Sequence, residues 1–534
     1  MLTPEQITAL RDRTGQITES IVDFLVENIA ERISEAGQFT NTAAYEVWRA
    51  QKLGLSQKEL KKELQKRLKL STAEINQLFT QVAQTSYSND IKRLGAKAVA
   101  FEENTSLQQI LDSSVKLAQD DFTNITQTMG FVGPDGRFHE LTEAYQRSCD
   151  FAFEKVANGA QDYNSAVRDA TRELAKRGIR VMDYESGVHT SMEAAVRRNI
   201  MGGLGLMNEQ ITQQNHDALG CDGWEISAHG GCAPDHEPIQ GKQYSDTEYT
   251  RLNNSLVRRI GTLNCGHTSM PIILGVNEPQ YTKAELEEFR QQNEEGITYN
   301  GKHYTLYEAT QRQSNLETAI RNRKHRILID EKLGDKDALQ TDQIRLQLLK
   351  QEYSRFSKAA DLPMRHERME AAGFDWKKGK AAENLVEKKF QEVLEKAQKG
   401  DKIDLDEDME RVIAGKPFEQ ILPLRMKLSN RAARRWYLAQ DATIPFEIDR
   451  TADLETQARQ ACDLRNKNRT NARELMRDQR KRRQLDRDEP NKSFEELIAD
   501  KMKRKGLTRE QAMKDILGSV TKTRKSVNKQ LGLE

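Results

Sequence analysis

Apolar positions along the N-terminal third recur with a helical period. Ile17, Ile21, Leu25, Ile29 and Ile33 fall every fourth residue, a stripe down one helix face, and Gly37 supplies its stop. Upstream, Thr3-Pro4-Glu5-Gln6 offers an N-cap, a proline at the first helical position and a glutamine able to complete a capping box. Ser56 to Glu59 and Ser71 to Glu74 repeat the capping-box spacing and predict two short helices either side of residue 70. Such a pair reads as a packed helical hairpin, because it carries no basic face for reading DNA. In residues 129–141 a Pro-Asp-Gly turn between short apolar pieces predicts a small hairpin. A helical stretch follows to about Arg177, then a short Gly-Ile-Arg-Val-Met segment. Tyr184 to Gln214 has mixed helical character, and Gly202, Gly203 and Gly205 suit close helix packing.

The pattern changes over 220–282. Trp224, Ile226 and Ala228 alternate with polar residues as in a half-buried strand, and the apolar run from Pro271 to Val276 is a second strand candidate. This segment alone reads as α+β. Tyr299-Asn300-Gly301-Lys302 predicts a tight turn. Thr305 to Glu308 opens a long helix carrying Tyr307, Thr310, Gln311, Leu316, Ile320 and Arg321. Beyond about 325 the chain reads as charged helices sparse in aromatics, with turns at the Gly and Pro of 399–424. One very polar helix runs from Arg469 to Leu485 and is ended by Asp486 to Pro490; Thr508 to Gln511 starts the last. The expected fold is mainly α, with extended helical N- and C-terminal regions around a small α+β Cys/His-containing module. The expected organisation is a helical region at 1–128, a core at 129–325 holding the module at 220–282, a charged helical region at 326–459 and a basic helical extension at 460–534.

Composition refines this picture. Of 534 residues 37% are hydrophobic and 31% charged, a balance that favours long exposed helices over one thick core. The net charge of +1 conceals an asymmetry: residues 460–534 carry +9 and the preceding 459 carry −8. No stretch approaches the roughly 20 apolar residues needed to span a bilayer, and the first residues lack a signal-peptide pattern. Five cysteines are too few and too odd in number for a disulfide scaffold, which fits a reducing cytoplasm as the place of synthesis.

Three cysteines and four histidines lie between His216 and His267. Thiolate and imidazole are the ligands zinc prefers, so Cys232, His236, Cys265 and His267 form a candidate metal set, with His229 or Asp235 as a further or competing ligand. Cys232 and His236 can share one side of a turn, and Cys265 and His267 would point to one face of an extended strand. Two other readings stand beside this one. Buried His and Cys side chains can tie a loop-rich domain together by hydrogen bonds and packing alone. Cys265 or Cys232 can also be imagined as a nucleophile with a His base and Asp235 as its orienter.

The strings Trp224-Glu-Ile-Ser-Ala-His229, Asp235-His236, Gln240-Gly241-Lys242 and Gly261-Thr-Leu-Asn-Cys265-Gly-His267 resemble the signature of the phage minor capsid protein 2 family. Tyr184-Glu-Ser-Gly, Ala194-Ala-Val-Arg-Arg-Asn199, Pro279-Gln-Tyr-Thr282, Tyr307-Glu-Ala-Thr-Gln311 and the start Leu2-Thr-Pro-Glu-Gln6 fit it too. The resemblance covers roughly residues 1–370. It implies a structural, non-enzymatic minor head protein of a tailed phage or prophage, associated with the portal and capsid proteins and located in the virion. The family is distantly similar to Mu-type head-morphogenesis proteins, and by that similarity His229, His236, Cys265 and His267 form the core of the module. Many members carry an Arg close to the first His, where this chain has Cys232-Ala233.

The extension beyond about 375 lies outside the resemblance, and phage head proteins of this kind often carry variable C-terminal additions. Its densest charge run holds Arg477, Arg480, Lys481, Arg482 and Arg483. Such a run can contact the phosphates of packaged double-stranded DNA without reading sequence. It can equally be a solvated helix face, offset by Glu474, Asp478, Asp486 and Asp488. Three functions therefore stand at this stage: a structural head protein, a metal-dependent hydrolase or delivered effector, and an internal head protein that binds DNA through its tail. No membrane partner or small-molecule substrate is expected.

Overall fold

The structure is a computed structural model. It describes residues 19–39, 41–49, 54–94, 99–132, 137–162, 180–182, 189–261, 265–299, 302–371, 373–425, 427–441 and 451–518, with a few single positions between them. The capping signal at Thr3 to Gln6, Ile17, the Pro-Asp-Gly turn, Arg177, Tyr184 to Gly187, the Asn300-Gly301 turn and residues 262–264 lie outside the described residues. The chain divides into two compact units. The first holds 1–291, 324–336 and 370–374; the second holds 292–323, 337–369 and 375–534. No helix among the described residues is long and apolar enough to cross a membrane.

The first unit is built on helices α1 (Glu19–Ala36), α2 (Thr42–Trp48), α3 (Gly54–Leu94) and α4 (Thr105–Gln127). Its core continues into α5 (Leu141–Ala157) and α6 (Met192–Ala218). The striped helix forms as its period requires, with Ile21, Leu25, Ile29 and Ile33 all buried and Gly37 just past its end. A correction concerns residue 70. The two short helices expected there are one helix, α3, running unbroken through Ser71. Ile75, Leu78, Phe79, Val82 and Ala83 bury a continuous face, and Thr72 returns its hydroxyl to the Leu68 carbonyl at 2.8 Å. Packing of a long apolar face outweighs a local capping preference of about 1 kcal/mol. Gly203 of α6 lies against Phe79 and Ala118, where a Cβ would come within 3.1 Å of the Phe79 ring, so its lack of a side chain sets the close approach of these helices. Polar pairs also fix the α3–α6 register: Ser86 donates to Asn208 at 2.5 Å and Asn215 to Asp90 at 2.9 Å.

A second correction is that strands outside 220–282 extend beyond the expected hairpin. Strands β1 (Met129–Val132), β2 (Phe138–Glu140), β3 (Arg180–Met182) and β4 (His189–Ser191) form an antiparallel sheet in the order β2-β1-β3-β4. The expected hairpin is its β1–β2 pair, with Phe131 opposite His139. The Cys/His module holds a smaller antiparallel sheet, with β5 (Gly223–Ile226) between β6 (Gln243–Ser245) and β7 (Ser269–Ile272), and helix α7 (Asp246–Ser255). The alternation around Trp224 predicted one wet face for β5, yet all four of its residues are buried. Glu225 is accommodated because its carboxylate accepts the Gln280 backbone N–H at 2.8 Å and the Gln243 amide at 3.1 Å.

Helix α8 (Lys283–Glu295) is followed in the second unit by the hairpin β8 (Ile297–Tyr299) and β9 (Lys302–Tyr304). The Thr305–Glu308 box opens α9 (Leu306–Leu333) as expected, with Glu308 Oε2 accepting the Thr305 N–H and Thr305 Oγ1 accepting the Glu308 N–H. Then come α10 (Lys336–Ala359), α11 (Trp376–Gln398), α12 (Glu407–Ala414), the short α13 (Phe418–Ile421) and α14 (Asn430–Asp441). The chain continues through α15 (Leu454–Leu475), α16 (Gln479–Asp488), α17 (Phe494–Lys505) and α18 (Arg509–Gly518). Trp436 of α14 sits among Phe390, Ile413, Ile421, Leu424, Leu475 and Leu485 in one apolar cluster.

A third correction falls in the extension. The single polar helix expected over Arg469 to Leu485 is two helices, α15 and α16, broken at Met476–Asp478. Met476 is extended and buried, and Asn430 Oδ1 accepts the N–H groups of Arg477 and Asp478. Asp478 then N-caps α16 by accepting the Arg480 N–H. Three donors left over by the break are thereby satisfied. The last helix starts from Thr508 and Gln511 as its spacing predicted.

Candidate functional site

The Cys/His cluster is assembled from two connections of the small sheet. His229, Cys232, Asp235 and His236 lie in the turns between β5 and β6, and Cys265 and His267 lie on the extended lead-in to β7. Hydrogen bonds hold these strands in register. The Ser227 N–H donates to the Thr268 carbonyl and the Thr268 N–H to Ser227 Oγ, both at 2.9 Å.

His236, Cys265 and His267 converge, and all three are buried, at 2%, 7% and 1% exposure. Each offers one ligand atom, and these atoms lie within 4.8 Å of one another. Cys265 Sγ is 3.2 Å from His236 Nδ1 and 3.5 Å from His267 Nδ1, and the two Nδ1 atoms are 3.4 Å apart. The other expected residues stand around this triangle. His229 lies over the His267 ring at 4.5 Å, tilted by 30°, and directs its own Nδ1 to the Gly230 carbonyl. Its Nε2 lies against Gly266, where a Cβ would come within 2.7 Å, so glycine between Cys265 and His267 is what lets the ring in. Cys232 is buried, but its sulfur lies outside the converging set. Burial, with the charge of Glu237 behind it, pushes the Cys232 thiol up to about 12, which keeps it a weakly nucleophilic neutral thiol. Asp235 faces away to the Arg258 guanidinium, which grips both carboxylate oxygens. Partial burial works against its charge, but the Arg258 pair holds Asp235 below the ordinary range. His216, at the edge of the cluster in sequence, lies apart from it, stacked on Trp224 at 4.7 Å with Nε2 on Asp246.

Two partners of the triangle carried no signal of their own in the sequence. The Arg258 carbonyl accepts from His236 Nε2 at 2.8 Å, and Gln240 Oε1 accepts from His267 Nε2 at 3.0 Å. Gln240 stood in the recognised string without an assigned role, and a backbone carbonyl leaves no mark in a sequence at all.

A family model described as phage minor capsid protein 2 matches residues 2–357, two-thirds of the chain. The chain belongs to the phage minor capsid protein 2 family. It is thus a structural protein of a phage head. No curated protein and no solved structure matches it. The match takes in the whole Cys/His module of this minor capsid protein and stops inside α10, so the basic extension lies outside it.

That extension presents a sorted helix. On α16 the side of Arg482, Leu485, Asp486 and Glu489 turns inward: Leu485 and Glu489 are buried, and Arg482 donates to the Met476 carbonyl. Arg480, Lys481 and Arg483 are exposed, with Arg477 exposed just before the helix. The acids proposed as offsetting charges do not meet them. Asp486 pairs with Arg469 and Arg473 of α15, and Asp478 is used as the cap. Among the described residues the side chains of Arg477, Arg480, Lys481 and Arg483 reach no carboxylate.

Proposed function

We propose that this minor capsid protein docks on the portal and shell of the head and turns the exposed basic side of α16 toward packaged double-stranded DNA. The observation that carries the DNA part is the set of four exposed cations, Arg477 just before α16 and Arg480, Lys481 and Arg483 on it, none of whose side chains reaches a carboxylate. Unpaired Lys and Arg on a preformed surface neutralise phosphates at little cost in side-chain ordering, and the contact is independent of sequence. The acidic remainder of the chain, −8 over residues 1–459, is repelled by DNA and is suited to protein partners. The portal part rests on family membership. A hydrolase or delivered effector has less support, because the Cys/His/His triangle is buried and a hydrolytic centre needs a path for substrate.

Replacing all four cations with glutamine tests the DNA contact. The side chains are exposed, so folding stability should change by less than about 0.5 kcal/mol per site. The slope of log affinity against log salt for duplex DNA should become shallower by about 3–4, at roughly 0.9 per lost phosphate contact. An unchanged slope, or a wild-type protein that does not bind duplex DNA, would count against the proposal. For docking, co-expression with the portal protein of the same phage should yield a complex that survives size-exclusion chromatography. Separate elution of the two proteins would argue against it.

A further inference from the structure

We propose that His236, Cys265 and His267 form a zinc site, with the Nδ1 atoms of the two imidazoles and the Cys265 sulfur as ligands. Tetrahedral zinc with Zn–N near 2.05 Å and Zn–S near 2.3 Å places neighbouring nitrogens about 3.3 Å apart and nitrogen and sulfur about 3.6 Å apart. The observed edges are 3.4 Å between the nitrogens and 3.2 and 3.5 Å from each to the sulfur.

His236 Nε2 faces the Arg258 carbonyl, which only accepts, so Nε2 carries the hydrogen and Nδ1 a lone pair. His267 Nε2 faces Gln240 Oε1, and that oxygen also accepts the His229 backbone N–H at 3.1 Å, which fixes which end of the amide is the carbonyl. His267 therefore also turns a bare Nδ1 inward. Two lone pairs and a sulfur share one buried spot, with a single thiol proton among them. The His267 backbone N–H points at the same sulfur from 3.4 Å, as it would to support a thiolate. A divalent cation satisfies all three atoms at once, while the Cys265 proton leaves to solvent. Two imidazoles and a thiolate select zinc over the oxygen-seeking magnesium and calcium, and the carbonyls on both Nε2 atoms are the outer-shell partners that orient metal-bound histidines.

The apolar cluster that contains Cys265 is small, with only Trp224, Ile226, Tyr249 and Ile260 buried beside it around a sheet of three short strands. A core that small is commonly held by a metal or a disulfide, and all five cysteines here are free. The metal would pin the turn carrying His236 to the lead-in of β7. The fourth position of the tetrahedron falls to water.

The test uses the full-length chain, purified without chelator and analysed by mass spectrometry of metals. About one zinc per chain is expected, falling below about a tenth of that in Cys265→Ser and His267→Ala. Cys462→Ser, a buried cysteine of the second unit, should keep its zinc. Because the ligand variants can lose metal by misfolding, wild-type protein stripped of metal is also titrated with cobalt. A visible spectrum with a sulfur charge-transfer band, bleached by added zinc, is expected. Wild-type protein with neither stoichiometric zinc nor that spectrum, or Cys265→Ser with wild-type metal content, would overturn the assignment.

Discussion

Trp436→Ala is expected to destabilise the second unit by about 3–5 kcal/mol, the range for removing a fully buried aromatic from a packed core. Trp436 is 1% exposed, its ring centroid lies 5.8 Å from that of Phe418, and its indole N–H donates to the Lys416 carbonyl at 2.9 Å. The truncation leaves a cavity among Phe390, Ile413, Ile421, Leu424 and Leu475, side chains that come from five different segments and so cannot close together over it. It also takes from the Lys416 carbonyl the shorter of its two hydrogen bonds, leaving the one from the Gln440 amide at 3.2 Å. Far-UV circular dichroism in urea should place the transition of this unit lower by about 1–2 M. Trp436→Phe keeps most of the ring and loses the hydrogen bond, so a smaller shift is expected. A Trp436→Ala protein that unfolds at the wild-type urea concentration would mean the core is not packed as described.

Glu317→Ala should weaken the same unit by a comparable amount, for an electrostatic reason. Glu317 on α9 is 1% exposed, and its carboxylate accepts from Arg365 Nε at 2.9 Å and from the Tyr353 hydroxyl at 3.2 Å, with Arg368 3.8 Å away. The Tyr353 oxygen in turn accepts the Arg365 backbone N–H at 2.8 Å. Removing the carboxylate leaves two largely buried guanidinium groups without their counter-charge, a loss of about 3–5 kcal/mol for a broken buried pair. Arg365→Met introduced on top of Glu317→Ala should then cost less than it does alone, because the nearer of the two stranded charges is gone. Denaturant unfolding of the four proteins gives the coupling directly, and strictly additive losses would show that the two groups do not act together.

The legible parts of this fold were those where local chemistry and tertiary packing agree. The stripe from Ile21 to Ile33, the boxes at Thr305 and Thr508 and the hairpin after Met129 each carried a signal that nothing elsewhere opposed. Ser71 carried the same kind of signal but sits where α3 must continue to bury Ile75 and Phe79, and packing prevailed. The break at Met476 was hidden for the converse reason: its stop depends on Asn430, some 47 residues earlier in the chain. At the Cys/His cluster the residue types and the i,i+2 spacing of Cys265 and His267 were readable. Sequence could not separate Cys232 from the converging set, because turn geometry rather than spacing decides where its sulfur points. The charge run was readable as a run. Its freedom from acids was not, since that follows from Asp486 being drawn to Arg469 and Arg473.

The hairpin at Ile297–Tyr304 has a bearing on how the protein is made. Lys514 of α18 pairs with Glu295 at 3.0 Å, and Gly518 lies against Thr298, so the last described helix rests on an element formed more than two hundred residues earlier. A chain leaving the ribosome from its N-terminus completes most of the first unit, residues 1–291, long before that helix exists. Throughout that interval the hairpin waits with one side uncovered. The second unit thus closes only once α18 has been made, and a nascent chain truncated short of α18 leaves that surface bare.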